Sequence, residues 1–129
     1  MKKIILSMVL TAILLQGVVA VNAADYVDKS FSFCCQQASY NTAKYTKGVT
    51  GYTYFKYNSG QPAIYVNVID YNTSNVSNKK YINDHQGYAL TNGVIAGNKV
   101  YLRLTRQSKD NTYDTGVWSP DCAGSYTVK

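Results

Sequence analysis

The chain has 129 residues, 13 Lys and Arg against 7 acids, and a formal charge of +6. Length favours one domain, and the modest basic excess, without a sharp basic cluster, argues against nucleic acid as a partner. Three cysteines and one remote histidine lack the paired spacing of a metal site, so no metal or cofactor is expected.

Met1-Lys2-Lys3 opens the chain, and an apolar run from Ile4 to Val21 follows. Val21-Asn22-Ala23 then offers a small-residue exit. A basic start, an apolar stretch and such an exit form a secretory signal. Residues 1–23 are therefore expected to be a cleaved signal peptide and residues 24–129 a single secreted domain. No later stretch reaches the ~20 apolar residues of a membrane span.

Beyond residue 23 the composition is that of strands and turns. All 13 tyrosines lie there, all seven acids are Asp, and Glu is absent. Tyr, Thr and Val suit strands, and Asn, Gly and Ser suit turns. So many tyrosines exceed what a small core holds. Exposed rings beside Asn and Ser suit sugars, peptides and protein surfaces, through a flat apolar face and a polar tip.

The elements are taken in chain order. Lys29–Gln37 is the first strand, with Phe31, Phe33 and Cys35 on one face by alternation. Residues 38–47 fit a loop or a short helix. Thr50–Tyr57 is a strand, and Asn58-Ser59-Gly60-Gln61-Pro62 is a turn signal. Ala63–Tyr71 is the clearest strand, with Ile64, Val66 and Val68 on one side and Tyr65, Asn67 and Ile69 on the other. The two strands around Pro62 read as a hairpin. A polar loop follows over 72–80, then an undecided segment at 81–85. Gly87–Thr91 and Lys99–Gln107 are strands, with Val100, Leu102 and Leu104 facing the core. Gly116–Ser119 and Ser125–Val128 are short final strands. About seven short strands predict an all-β fold, a small antiparallel β-sandwich or barrel. Its expected core is Phe33, Phe55, Ile64, Val66, Val68, Val100, Leu102, Leu104 and Trp118.

In an oxidising exterior the cysteines should pair. The expected bridge joins Cys35 to Cys122, or Cys34 to Cys122. It closes a loop of most of the domain and is worth roughly 4–5 kcal/mol in the chain-entropy model.

No catalytic residues are assigned, and an enzyme is not expected. Asp70, Asp84, Asp110, Asp114 and Asp121 fall at or near turns, where Asp serves the backbone. Asp84-His85 is the one pair suggestive of a catalytic base, but strand neighbours point apart and no nucleophile motif accompanies it. The candidate binding face is Tyr88, Lys99, Tyr101, Arg103 and Arg106. If they share a surface, it is basic and aromatic and suits an anionic partner.

From Ala63 to Arg106 the order of features is Ile64-Tyr65-Val66-Asn67-Val68, Asn72-Thr73, Gly87-Tyr88-Ala89 and Asn98-Lys99-Val100-Tyr101. It resembles the secreted β-sandwich bacteriocins of Gram-positive bacteria typified by lactococcin nine-seventy-two. The resemblance implies a small exported β-sandwich and, for the type member, interference with septum formation through the wall precursor lipid II. The expected function is a secreted, non-catalytic, bacteriocin-like binding protein acting on a component of bacterial cell envelopes. The alternative is an adhesin, matrix or inhibitor-type module that binds protein or glycan through exposed tyrosines.

Overall fold

The structure is a computed structural model that describes residues 23–129. The expected signal segment, apart from Ala23, lies outside the described residues.

Ten strands and no helix make up the described chain: β1 (Lys29–Phe33), β2 (Ser39–Asn41), β3 (Tyr45–Thr46), β4 (Thr53–Ser59), β5 (Ile64–Asp70), β6 (Lys80–Ile82), β7 (Gly87–Leu90), β8 (Lys99–Arg106), β9 (Asp114–Ser119) and β10 (Thr127–Val128). They form two five-stranded sheets. The first runs β1-β9-β4-β7-β10, and the second β2-β8-β5-β6, with β3 also on β8. All pairings are antiparallel except β10 on β7. The fold is all-β and sandwich-like, as the composition predicts. The undecided segment 38–47 contributes two short strands, because the free edge of β8 offers a ladder that its backbone groups can satisfy.

The core lies between the sheets. Alternation sends Phe31, Phe33, Phe55, Tyr57, Leu90 and Trp118 inward from the first sheet. Ile64, Val66, Val68, Ile82, Val100, Leu102 and Leu104 meet them from the second. All nine expected core residues are in this cluster. Phe31 stacks on Phe55 at 5.6 Å between ring centroids, and Tyr45 meets Trp118 edge-on at 5.8 Å. Such aromatic pairs add about 0.5–1.5 kcal/mol each beyond their buried area.

The Pro62 turn is not a hairpin. β4 already has β9 on one edge and β7 on the other. With both edges taken, the chain must leave the sheet, and β5 pairs with β8 and β6 instead. Gly60 makes the crossing at φ 135°, a conformation that L side chains rarely adopt. A Cβ there would collide with the Asp114 carboxylate and the Tyr57 hydroxyl. The one Tyr57 hydroxyl proton is shared between Asp114 and the Gln61 carbonyl, and Gln61 N–H donates to Asp114 at 3.0 Å.

The expected long-range bridge is also corrected. Cys34 is bonded to its neighbour Cys35, and Cys122 is a free thiol. The register explains why. Phe33 lies opposite Asp114 at the start of β9, while Cys122 follows its far end at Ser119. Five residues of strand, about 17 Å, separate the two ends. That exceeds the Cα span of about 7 Å within which a disulfide closes. The strand stops at Phe33, and Cys35 and Gln36 turn away with φ of 65° and 74°. Cys35 therefore does not continue the inward face of Phe31 and Phe33.

A buried ion pair fastens both ends of the described chain. Lys47 and Asp121 have no exposed side-chain surface and meet at 3.2 Å. Asp121 also accepts the backbone N–H groups of Asp25, Gly48 and Val49. The ammonium donates to the carbonyls of Tyr52 and Pro120. Every charge and lone pair removed from water here has a partner, as burial demands.

Candidate functional site

The five expected binding-face residues separate into three environments. Lys99, Tyr101 and Arg103 alternate with the buried Val100, Leu102 and Leu104 along β8, so they share the outer face of the second sheet. Tyr88 does not join them. It lies on the inner side of the first sheet, opposite Phe55, and is 4 % exposed. Its hydroxyl donates to Asp84 at 2.5 Å. Arg106 does not join them either, because the same alternation turns it inward at the end of β8. Its guanidinium is buried against Asp114 at 2.6 Å and Asp110 at 2.8 Å, over the ring of Phe33. Arg106 holds the 106–114 loop together and is not available to a partner.

Strand pairing sets further residues beside these on the outer face, a placement that alternation within one strand does not announce. β5 pairs with β8 so that Ile69 lies opposite Tyr101, Asn67 opposite Arg103 and Tyr65 opposite Thr105. β6 places Tyr81 opposite Tyr65, with ring centroids 5.3 Å apart. Beyond the strand ends, Tyr71 N–H bonds to the Lys99 carbonyl at 2.9 Å. The exposed Lys44 ammonium sits 4.0 Å from the Tyr71 ring centroid, and Lys79 is 5.3 Å from that of Tyr65. Cations over tyrosine rings in this way gain about 0.5–1 kcal/mol at exposed sites.

The result is a face carrying Tyr65, Tyr71, Tyr81 and Tyr101 among Lys44, Lys79, Lys99 and Arg103. No outward position of β2, β5, β6 or β8 carries a carboxylate. Among the described residues none of these four cations has a carboxylate within ion-pair distance. Their field is therefore not cancelled locally.

At the loop end of this face lies a groove of about 330 Å³. Ile69, Val76, Tyr71, Tyr101, Ser74 and Arg103 line it, together with Asp70. Asp70 is 3 % exposed and accepts from Asn72 N–H at 2.9 Å, Thr73 N–H at 3.2 Å and the Asn98 amide at 2.9 Å. Burial acts to raise its pKa. The hydrogen bonds from Asn98, Thr73 and Asn72 outweigh that and hold it below the ordinary carboxylate value. Its charge is absorbed in building the loop over residues 70–76.

The Asp84-His85 pair is arranged differently from a base and its orienter. Asp84 bonds to Tyr88 and to Gln86 N–H, which lowers its pKa, while the exposed His85 places Nδ1 3.0 Å from the Tyr57 carbonyl. A second tyrosine group lies on the first sheet's outer side, where Tyr54 and Tyr126 are 4.8 Å apart beside Tyr26 and Asp28.

No described helix is long and apolar enough to cross a membrane. Neither the curated proteins nor the solved structures contain a significant match to this chain. A family model described as "protein of unknown function (DUF2712)" matches residues 19–122. A match over that much of its length shows that the chain belongs to this family, whose function is unknown.

Proposed function

We propose that this chain is a secreted, non-catalytic binding protein that acts at bacterial cell envelopes, bacteriocin-like in its mode, through the outer face of the second sheet. The observation that carries the reading is the uncompensated basic and aromatic character of that face. Bacterial envelopes present anionic polymers and head groups. A surface with cations and no carboxylates is drawn to them, and the tyrosines add short-range contact once it arrives. The signal-like leader and the resemblance to small exported bacteriocins support the same assignment.

The test is binding of the purified protein to isolated Gram-positive envelopes, with growth inhibition as a second readout. A Lys or Arg near an anionic surface contributes about 1 kcal/mol. Changing Lys44, Lys99 and Arg103 together to Gln should therefore weaken binding by about 3 kcal/mol, roughly a hundredfold. Raising salt from 0.05 to 0.5 M should weaken the wild type far more than the variant. Unchanged, salt-insensitive binding by the variant would end the proposal. The Tyr26–Tyr54–Tyr126 group favours a second reading, an adhesin, matrix or inhibitor-type module that grips protein or glycan without net charge. Loss of binding on Tyr54→Ala, with the triple variant unaffected, would select it.

A further inference from the structure

One part of the outer face is shaped rather than flat. The groove at its loop end has an apolar side of Ile69 and Val76, aromatic side chains in Tyr71 and Tyr101, and a cation at Arg103. We propose that this groove is a binding site for an anionic saccharide, a sugar ring bearing a phosphate or a carboxylate. The inference rests on the reading of this face as the binding face and names the chemistry it takes.

The volume lies at the lower end of small-ligand clefts, which run from about 300 Å³. A single sugar ring is a guest of that scale. Its C–H face packs on tyrosine rings, and its hydroxyls need polar partners at the rim. The Ser74 side chain and the tyrosine hydroxyls supply such groups. Arg103 completes the set. Its Nε touches only the Asn41 amide oxygen, at a long 3.4 Å, and no carboxylate neutralises it. A guanidinium in that condition is a planar, bidentate donor for phosphate or carboxylate. Lys44 and Lys99 reinforce the positive field beside Tyr71.

The polarity of the groove also orients the guest. Asp70 is committed to Asn72, Thr73 and Asn98 at the inner end of the loop. Its carboxylate is taken up by those donors, and Arg103 is the cation lining the groove, so the acidic group of the ligand points to Arg103 and the ring lies toward Tyr71 and Tyr101. The loop does not have to be ordered by the ligand. Ser74 N–H bonds to the Asp70 carbonyl at 2.8 Å, Asp70 N–H to the Asn75 carbonyl at 2.9 Å, and Lys99 N–H to Asn72 Oδ1 at 2.8 Å. Ser74 itself is held at φ 63°, a conformation uncommon for a non-glycine residue. A preformed wall spares the ligand the ordering entropy that a flexible loop would cost.

The experiment is an NMR titration of isotope-labelled protein with glucose 1-phosphate, glucuronate, glucose and inorganic phosphate. Glucose 1-phosphate, glucuronate or both should move the Ile69, Val76 and Tyr101 signals and bind at least about tenfold more tightly than glucose or phosphate. Whichever of the two binds more tightly identifies the acidic group. Tyr101→Ala and Arg103→Gln should each weaken that binding by about tenfold or more, with urea midpoints kept near wild type. Anionic sugars that bind no better than phosphate, or that bind Tyr101→Ala as well as wild type, would overturn the site. If that happens while envelope binding keeps its salt dependence, the saccharide inference alone falls. If envelope binding is also absent, the proposed function falls with it.

Discussion

Replacing Asp121 by Ala removes a buried carboxylate that receives four donors. They are Asp25 N–H at 2.7 Å, Gly48 N–H at 2.8 Å, Val49 N–H at 3.3 Å and Lys47 Nζ at 3.2 Å. What remains is a fully buried ammonium held only by the carbonyls of Tyr52 at 3.0 Å and Pro120 at 2.7 Å. Breaking a buried pair from one side costs about 3–5 kcal/mol, because the remaining charge is uncompensated. The reverse change, Lys47→Met, is milder. Asp121 keeps three backbone donors, and Met fills most of the space of the lysine stem. Its cost should be about 1–3 kcal/mol, the penalty of buried acceptors that lose a donor. Domains of this size have about 5–15 kcal/mol in total, so the two variants separate clearly. Urea unfolding followed by Trp118 fluorescence reads both, since Trp118 is the only tryptophan and is 1 % exposed. The double variant should lose less than the sum of the singles, because removing both charges leaves neither one stranded. Burial already holds Lys47 below its ordinary pKa of 10.5, against the pull of Asp121. Without Asp121 that depression deepens, so the loss in Asp121→Ala should shrink toward alkaline pH. A Lys47→Met variant as damaged as Asp121→Ala, or strict additivity in the double, would refute the reasoning.

Acid should unfold the protein through the same carboxylates. For Asp121 and Asp70, burial raises the pKa, but their hydrogen bonds, with Lys47 beside Asp121, prevail and hold both below the ordinary 3.8. A depressed folded pKa contributes stability that is complete above the unfolded value and lost as pH falls through the folded one. Urea midpoints should therefore stay level through the weakly acidic range and drop below about pH 4, less steeply in Asp70→Asn. The thiol assignment predicts that native, unreduced protein takes one maleimide, on Cys122, and that reduction under denaturing conditions exposes two more. A peptide linking Cys122 to Cys34 or Cys35 would overturn it.

Much of the fold was legible in local patterns. The two long strands β5 and β8 alternate clearly, and with the aromatic and β-branched content they identify the sandwich class and every core residue expected. Lys99, Tyr101 and Arg103 follow from the same two-residue period. Tyr88 was misplaced because alternation tells which residues of one strand share a side, not which sheet that strand joins; Arg106 was grouped by its charge, against the two-residue period that sets it in phase with Val100, Leu102 and Leu104. Gly60 and Pro62 mark a turn equally well whether the chain folds back on itself or crosses to the other sheet.

The sequence by itself determined composition-level facts: strands, turns, an inward apolar side on each long strand, and a basic excess with few acids. Only tertiary structure decided the rest. Pairing of β5 with β8 set Ile69 opposite Tyr101 and closed the groove beneath Tyr71. The antiparallel register of β1 on β9 put Cys122 at the wrong end for a bridge. The buried Asp114 and the half-exposed Asp110 supplied the partners for the Arg106 guanidinium that alternation turns inward. These outcomes depend on non-local hydrogen bonding and charge pairing, where each residue's role is set by neighbours far away in sequence.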